Sequence, residues 1–208
     1  MTNYERIALA IVLLFGLGVF IIGTDGFQAF TEEQARTNQL LKDQPSLPNV
    51  RLEDSKDRTY NIKELQQNKY LFITFMYTNC ATVCPQLEQN MQGVYQELPD
   101  TMIEKDIQFL SISFDPEHDD PKTLEKYRSY FDSDGETWRM ARINDKAELS
   151  NLLDQLGVIV IPDDYGNFQH NSAFYLVNRN GSLVDVMDYR DIDQAVDRVK
   201  SVIGGDSL

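Results

Sequence analysis

The run Tyr70–Met76 (YLFITFM) has no polar residue except Thr74, and it limits this chain more than any other feature. An aromatic and β-branched run of that kind suits a strand buried on both faces, which needs helices above and below it. Ile107–Phe114 (IQFLSISF) reads as a second such strand. Helices are predicted between and after them. One has Pro85 in its first turn and continues to about Leu98, with Leu87, Met91 and Val94 on one face. Another runs from Pro121 to about Phe131, and a third from Asp145 to Gly157, with Asp145 and Glu148 as capping box and Gly157 as stop. Two early strands, Asn49–Glu53 and Arg58–Ile62, turn at Ser55-Lys56-Asp57. A hairpin of Ala173–Val177 and Leu183–Asp188 and a helix from Ile192 to Ile203 close the chain. Strands alternating with helices and ending in a hairpin predict an α/β fold with a central mixed sheet flanked by helices, of the thioredoxin-like kind.

The N-terminus sets the address. Ile7–Ile22 is wholly apolar, and with Gly23 and Thr24 it reaches about 27 Å as a helix, enough to span a bilayer. A cleaved signal would want small residues where Phe27-Gln28-Ala29 stands, so an uncleaved single-pass anchor is expected. Arg6 precedes the span and Asp25, Glu32 and Glu33 follow it, which places the following domain outside the cytoplasm. Thr31-Glu32-Glu33-Gln34 opens a short polar helix to about Lys42. The expected organisation is therefore an anchor over 1–25, a polar stalk over 26–44 and one globular domain over 45–208. No Arg- and Ser-rich presequence is present, which favours a bacterial cytoplasmic membrane over a mitochondrial one. A net charge of -14 with no basic cluster argues against nucleic acid as a partner.

The two cysteines of the chain, Cys80 and Cys84, lie where the first buried strand ends and a helix begins. Free N–H groups and the positive end of the helix dipole favour thiolate there, the form that binds metal or attacks a disulfide. Spaced four apart, the sulfurs are close enough to bridge one soft ion if Cys80 falls within the first turn. As a mere staple the pair would be poor, since so short a loop gains only roughly 2 kcal/mol.

Four segments together carry a family resemblance: Leu47-Pro48-Asn49-Val50, Cys80-x3-Cys84-Pro85, Asp115-Pro116-x-x-Asp119, and His170-Asn171-Ser172 leading into Tyr175-Leu176. Over residues 45 to 205 the chain resembles the Sco/SenC family of thioredoxin-like copper chaperones for cytochrome c oxidase assembly. The resemblance implies one copper ion, Cu(I) or Cu(II), held by Cys80, Cys84 and His170. It also implies delivery to the CuA subunit of a respiratory oxidase, with a copper donor chaperone upstream. Gln169 stands where an acidic residue commonly precedes the histidine, and Ala81 where Pro often follows the first cysteine. Asp115 and Asp119 match the family's acidic pair or else cap the next helix. His118 is given no metal.

The competing reading is a thiol–disulfide oxidoreductase acting on the cysteines of the oxidase copper subunit or another extracytoplasmic protein, with Cys80 attacking and Cys84 resolving. Such enzymes usually carry a cis-proline near the hairpin start, where this chain has His170; its nearest upstream proline is Pro162. Peroxide reduction would want a Pro-x-Thr pattern ahead of the cysteine, which Tyr77-Thr78-Asn79 lacks. Zinc is compatible with two Cys and one His, but no companion general base is evident.

Overall fold

The computed structural model describes residues 3–23 and 31–205. The chain divides into two compact units, Met1–Asp43 and Gln44–Leu208. The first contains α1 (Asn3–Gly23) and α2 (Glu32–Asp43). The α1 helix is long and apolar enough to cross a membrane. At the start of α2 the Thr31 hydroxyl accepts the Gln34 N–H at 3.1 Å, as an N-cap does. Thr24, Asp25 and the cleavage test at Phe27-Gln28-Ala29 lie outside the described residues.

The second unit runs β1 (Arg51–Asp54), β2 (Thr59–Asn61), α3 (Ile62–Gln66), β3 (Tyr70–Met76), α4 (Val83–Glu97), α5 (Asp100–Lys105), β4 (Ile107–Ser113), α6 (Pro121–Arg128) and β5 (Trp138–Arg142). It continues with α7 (Lys146–Gln155), β6 (Val160–Pro162), β7 (Phe168–His170), β8 (Phe174–Val177), β9 (Leu183–Met187) and α8 (Ile192–Gly205). Seven strands form one sheet in the order β2-β1-β5-β4-β3-β8-β9, while β6 and β7 pair only with each other. The strands β3, β4 and β5 are parallel, and antiparallel β1 and β8 join on either side. Every residue of β3 and β4 is buried, as a centre covered on both faces requires. Phe72 is central to the packing, its ring 4.9 Å from those of both Phe109 and Phe174.

Several local expectations change. The strand expected to reach Ile62 stops at Asn61, because Asn61 and Glu64 form a capping box that starts α3. The third helix is capped by Asp145, but the Glu148 carboxylate is drawn away to accept the Arg51 N–H at 2.7 Å. Gly157 then stops the chain in the left-handed conformation at φ 63°. The helix expected to reach Phe131 ends at Arg128 and loosens into turns in which Tyr130 and Phe131 N–H bond to the carbonyls three residues back. The short α5, and the edge-to-centre strand β5, carry no strong sequence signal and went unpredicted.

A carboxylate sits in this core without full satisfaction. Glu88, on α4, is fully buried. Its Oε2 accepts from the Ser111 hydroxyl at 2.8 Å, Ser111 Oγ in turn accepts the Trp138 indole N–H at 3.1 Å, and Glu88 Oε1 has no hydrogen-bond partner. Burial pushes its carboxyl from 4.5 up to about 8. A folded pKa above the unfolded one means that this residue costs nothing below pH 4.5 and progressively destabilises the fold up to pH 8. The penalty is on the order of 3 kcal/mol at neutral pH. Glu88→Gln is therefore expected to leave stability unchanged near pH 4 and raise it by about 1–3 kcal/mol at pH 8. Urea unfolding at the two pH values measures this, and an equal effect at both would contradict it.

Candidate metal centre

The sheet brings the three sequence-predicted residues together. Among the described residues, the possible ligand atoms of Cys80, Cys84 and His170 all lie within 4.8 Å of one another. Cys84 is in the first turn of α4, and Cys80, for which that turn was the condition, is outside the helix, in the loop before Thr82. The two sulfurs still meet, because Cys80 takes over the work of a cap. Thr82, the residue at the N-cap position, makes no side-chain capping bond, Pro85 has no N–H to offer, and Cys80 Sγ accepts the Cys84 N–H at 3.3 Å.

That capping role has an electrostatic result. A hydrogen bond from the Cys84 side chain holds the Cys80 thiol far below its ordinary range, to about 3; the loop N–H groups help against the opposing effect of burial. The same bond, together with burial, pushes the Cys84 thiol up. One proton is thus shared by the pair, with Cys80 the thiolate and Cys84 the thiol. Cys84 is fully buried, whereas Cys80 retains 7% exposure.

His170 arrives on a separate arm. It ends β7, whose pairing partners put Val160 opposite His170 and Pro162 opposite Phe168. With a period of two, Phe168 and His170 share one face of this small hairpin and Gln169 the other. The first face lies on the aromatic rings that follow β3 and β4. Tyr77 is 5.0 Å from Phe168, and Phe114 is 5.4 Å from Phe168 and 4.9 Å from His170, all edge-on. Next to His170, Asn171 closes the base of the arm, accepting the Ile159 N–H at 2.7 Å and donating to Gly157 O at 3.3 Å.

The imidazole is oriented without a carboxylate. His170 Nδ1 is 3.1 Å from the Asn171 carbonyl oxygen, which can only accept, and 3.4 Å from the Ser172 hydroxyl; the tautomer that satisfies the carbonyl carries its proton on Nδ1. The Nε2 lone pair then faces Cys84 Sγ at 3.6 Å. Gln169 is exposed, away from this bond.

The acidic segment needs a correction. Neither Asp115 nor Asp119 caps α6; Asp120 does, accepting the Thr123 N–H at 2.7 Å. Asp115 is bonded to His118 Nδ1 at 2.9 Å, and His118 itself is exposed and absent from the cluster. Asp119 is buried and turned toward the cysteine loop, accepting the Thr78 N–H at 3.0 Å and the Thr78 hydroxyl. Sequence reasoning did not single out Thr78, Tyr77, Phe114 or Phe168, whose roles depend on which loops the sheet places side by side.

The sequence model of SCO1/SenC matches residues 42–204. The chain belongs to the SCO1/SenC family. A SCO1 protein homolog of Bacillus subtilis (strain 168) is 28% identical over 121 residues, which are 57% of this chain and 61% of that relative, so the match spans less than two thirds of that protein's length. Among solved structures, a SCO1/SenC family lipoprotein from Bacillus anthracis is similar at a TM-score of 0.64 and 25% identity, over 74% of this chain and 95% of that one. Yeast Sco1 with copper bound is similar at a TM-score of 0.59 and 26% identity, over 76% and 90%. The SCO1/SenC relatives support the thioredoxin-like fold expected from the element order.

Two sulfurs and one imidazole nitrogen at this separation suit one soft or borderline ion, and the same two sulfurs can alternatively exchange with a disulfide. In the metal-free protein, iodoacetamide is expected to alkylate Cys80 ahead of Cys84. The Cys80 rate should change by less than about threefold between pH 8 and pH 5, where an ordinary thiol slows roughly a thousandfold. Peptide mapping by mass spectrometry measures both rates. A steep fall for Cys80 would overturn the shared-proton description.

Proposed function

We propose that this protein is a membrane-anchored, extracytoplasmic copper chaperone that binds one Cu(I) or Cu(II) through Cys80, Cys84 and His170 and delivers it to the CuA subunit of a respiratory oxidase. The observation that carries this reading is the convergence of two sulfurs and an Nε2 lone pair within 4.8 Å, in a chain of this family. The thiolates favour Cu(I), and the imidazole makes the set acceptable to Cu(II) as well. Three ligands leave a position open to an incoming partner ligand, so copper can leave by exchange.

Residues 1–25 serve as anchor, 26–44 as stalk and 45–208 as the copper domain, at a bacterial cytoplasmic membrane with the domain on the outer side. The α1 composition supports the anchor, and the charges flanking it support the orientation. A copper donor and an oxidase subunit are the partners implied by family membership.

Anaerobic chelator competition on the full chain in detergent tests the core of this reading. One copper per chain is expected, with binding abolished in Cys80→Ser or Cys84→Ser. His170→Ala should weaken Cu(II) by about 10- to 100-fold and Cu(I) far less. Retention of copper by the double cysteine variant would refute the site. Failure of the unaltered chain to bind copper, with a readily exchanged Cys80–Cys84 disulfide, would instead favour the thiol–disulfide reading that the shared proton also supports.

A further inference from the structure

Asp119 is a buried carboxylate that does not cap the helix after it. It lies beyond β4, four residues after Asp115, yet its contacts are with residues outside the helix that follows it. Oδ2 accepts the Thr78 N–H at 3.0 Å and the Ser113 hydroxyl at 2.5 Å, and Oδ1 accepts the Thr78 hydroxyl. Ser113 Oγ also accepts the Asp115 N–H at 3.0 Å. Three donors on one carboxylate join two chain segments that have just left the sheet. The first segment leads from Thr78 to Cys80 two residues later. The second holds Phe114, next to Ser113, whose ring lies 4.9 Å from His170. The backbone continues the parallel pairing at this point, Phe114 N–H bonding to Met76 O at 3.0 Å.

We propose that Asp119 is a positioning residue for the metal centre, fixing the Cys80 loop at a set distance from the imidazole arm and so selecting the Cu(II) form. This inference rests on the copper reading above. The physical basis is the different demand of the two oxidation states. Cu(I) is satisfied by two thiolates, whose loop can shift to follow the ion. Cu(II) needs the imidazole as well, and the imidazole sits on a separate arm that rests on Phe114 and is closed at its base through Asn171. Keeping the two halves in register takes a link between the loop and Phe114; Tyr77 supplies the ring contact of that link, 5.3 Å from Phe114, and Asp119 supplies its hydrogen bonds. Asp119 touches neither the metal position nor a ligand atom in the structure.

Asp119→Asn retains the shape but cannot accept all three donors, since its amide nitrogen has no lone pair to offer. Cu(II) affinity should fall by about 10- to 100-fold and the thiolate-to-Cu(II) charge-transfer band should shift, while Cu(I) affinity by chelator competition stays within about threefold. In the metal-free chain, Cys80 alkylation should rise by about fivefold or more as the loop loosens. Thr78→Val, which keeps the N–H bond and removes the hydroxyl bond, should move the same three readouts part of the way. Thr78→Ser, which keeps both bonds, should restore them. These two variants serve where Asp119→Asn does not fold. A merely structural role would lower stability and weaken both oxidation states together. Equal losses of Cu(I) and Cu(II), or an unshifted band and unchanged alkylation in Thr78→Val, would overturn the proposal. Absence of copper binding in the unaltered chain would overturn the copper reading first and this inference with it, and is thereby distinguished from its own failure.

Discussion

The parallel pairing of β3 with β4 is the constraint on which everything else in the domain depends. It runs in register from Tyr70 opposite Ile107 to Met76 opposite Ser113, so both strands end at the same level. Parallel strands deliver their C-terminal loops to one edge of the sheet, and such edges are where open α/β sheets place their sites. The cysteine loop and the Asp115–Asp119 loop therefore emerge side by side. An offset of one residue would exchange the two buried faces of a strand and bring its loop out at a different level.

Much of this was legible in the chain because burial on both faces leaves an unmistakable pattern. Tyr70–Met76 is found with the bounds the apolar run gives, and the second strand differs only in ending at Ser113 instead of Phe114. The hairpin and final helix lie within a residue or two of expectation. Elements held by side-chain chemistry between distant segments were less accessible. The Glu148 carboxylate satisfies Arg51 instead of its own helix end, and β5 is a five-residue strand whose burial is decided by neighbours on either side. Asn61 and Glu64 did carry a local signal for α3, hidden by reading the preceding strand too far.

The metal centre shows the same division. The pair of cysteines and His170 were named by residue type and family pattern, and the folded chain brings them into one cluster. What lies around them was not legible, since Tyr77, Phe114 and Phe168 are ordinary core aromatics until the β6–β7 arm folds over them. The arm lay in a stretch, Pro162–Phe168, that the sequence left unassigned. It pairs with no strand of the main sheet, and its attachment through ring edges and one asparagine is the physical reason a pattern search passes over it.

The unequal depth of the two sulfurs gives the centre a direction. Cys84 is sealed within the first turn of α4, whereas Cys80 keeps 7% exposure and His170 is half-buried. A visitor, whether a thiol, a chelator or a neighbouring protein's ligand, therefore reaches the centre from the side of Cys80 and His170, with Cys84 behind them. Exchange at such a centre begins at the front pair and finishes at the sulfur at the back.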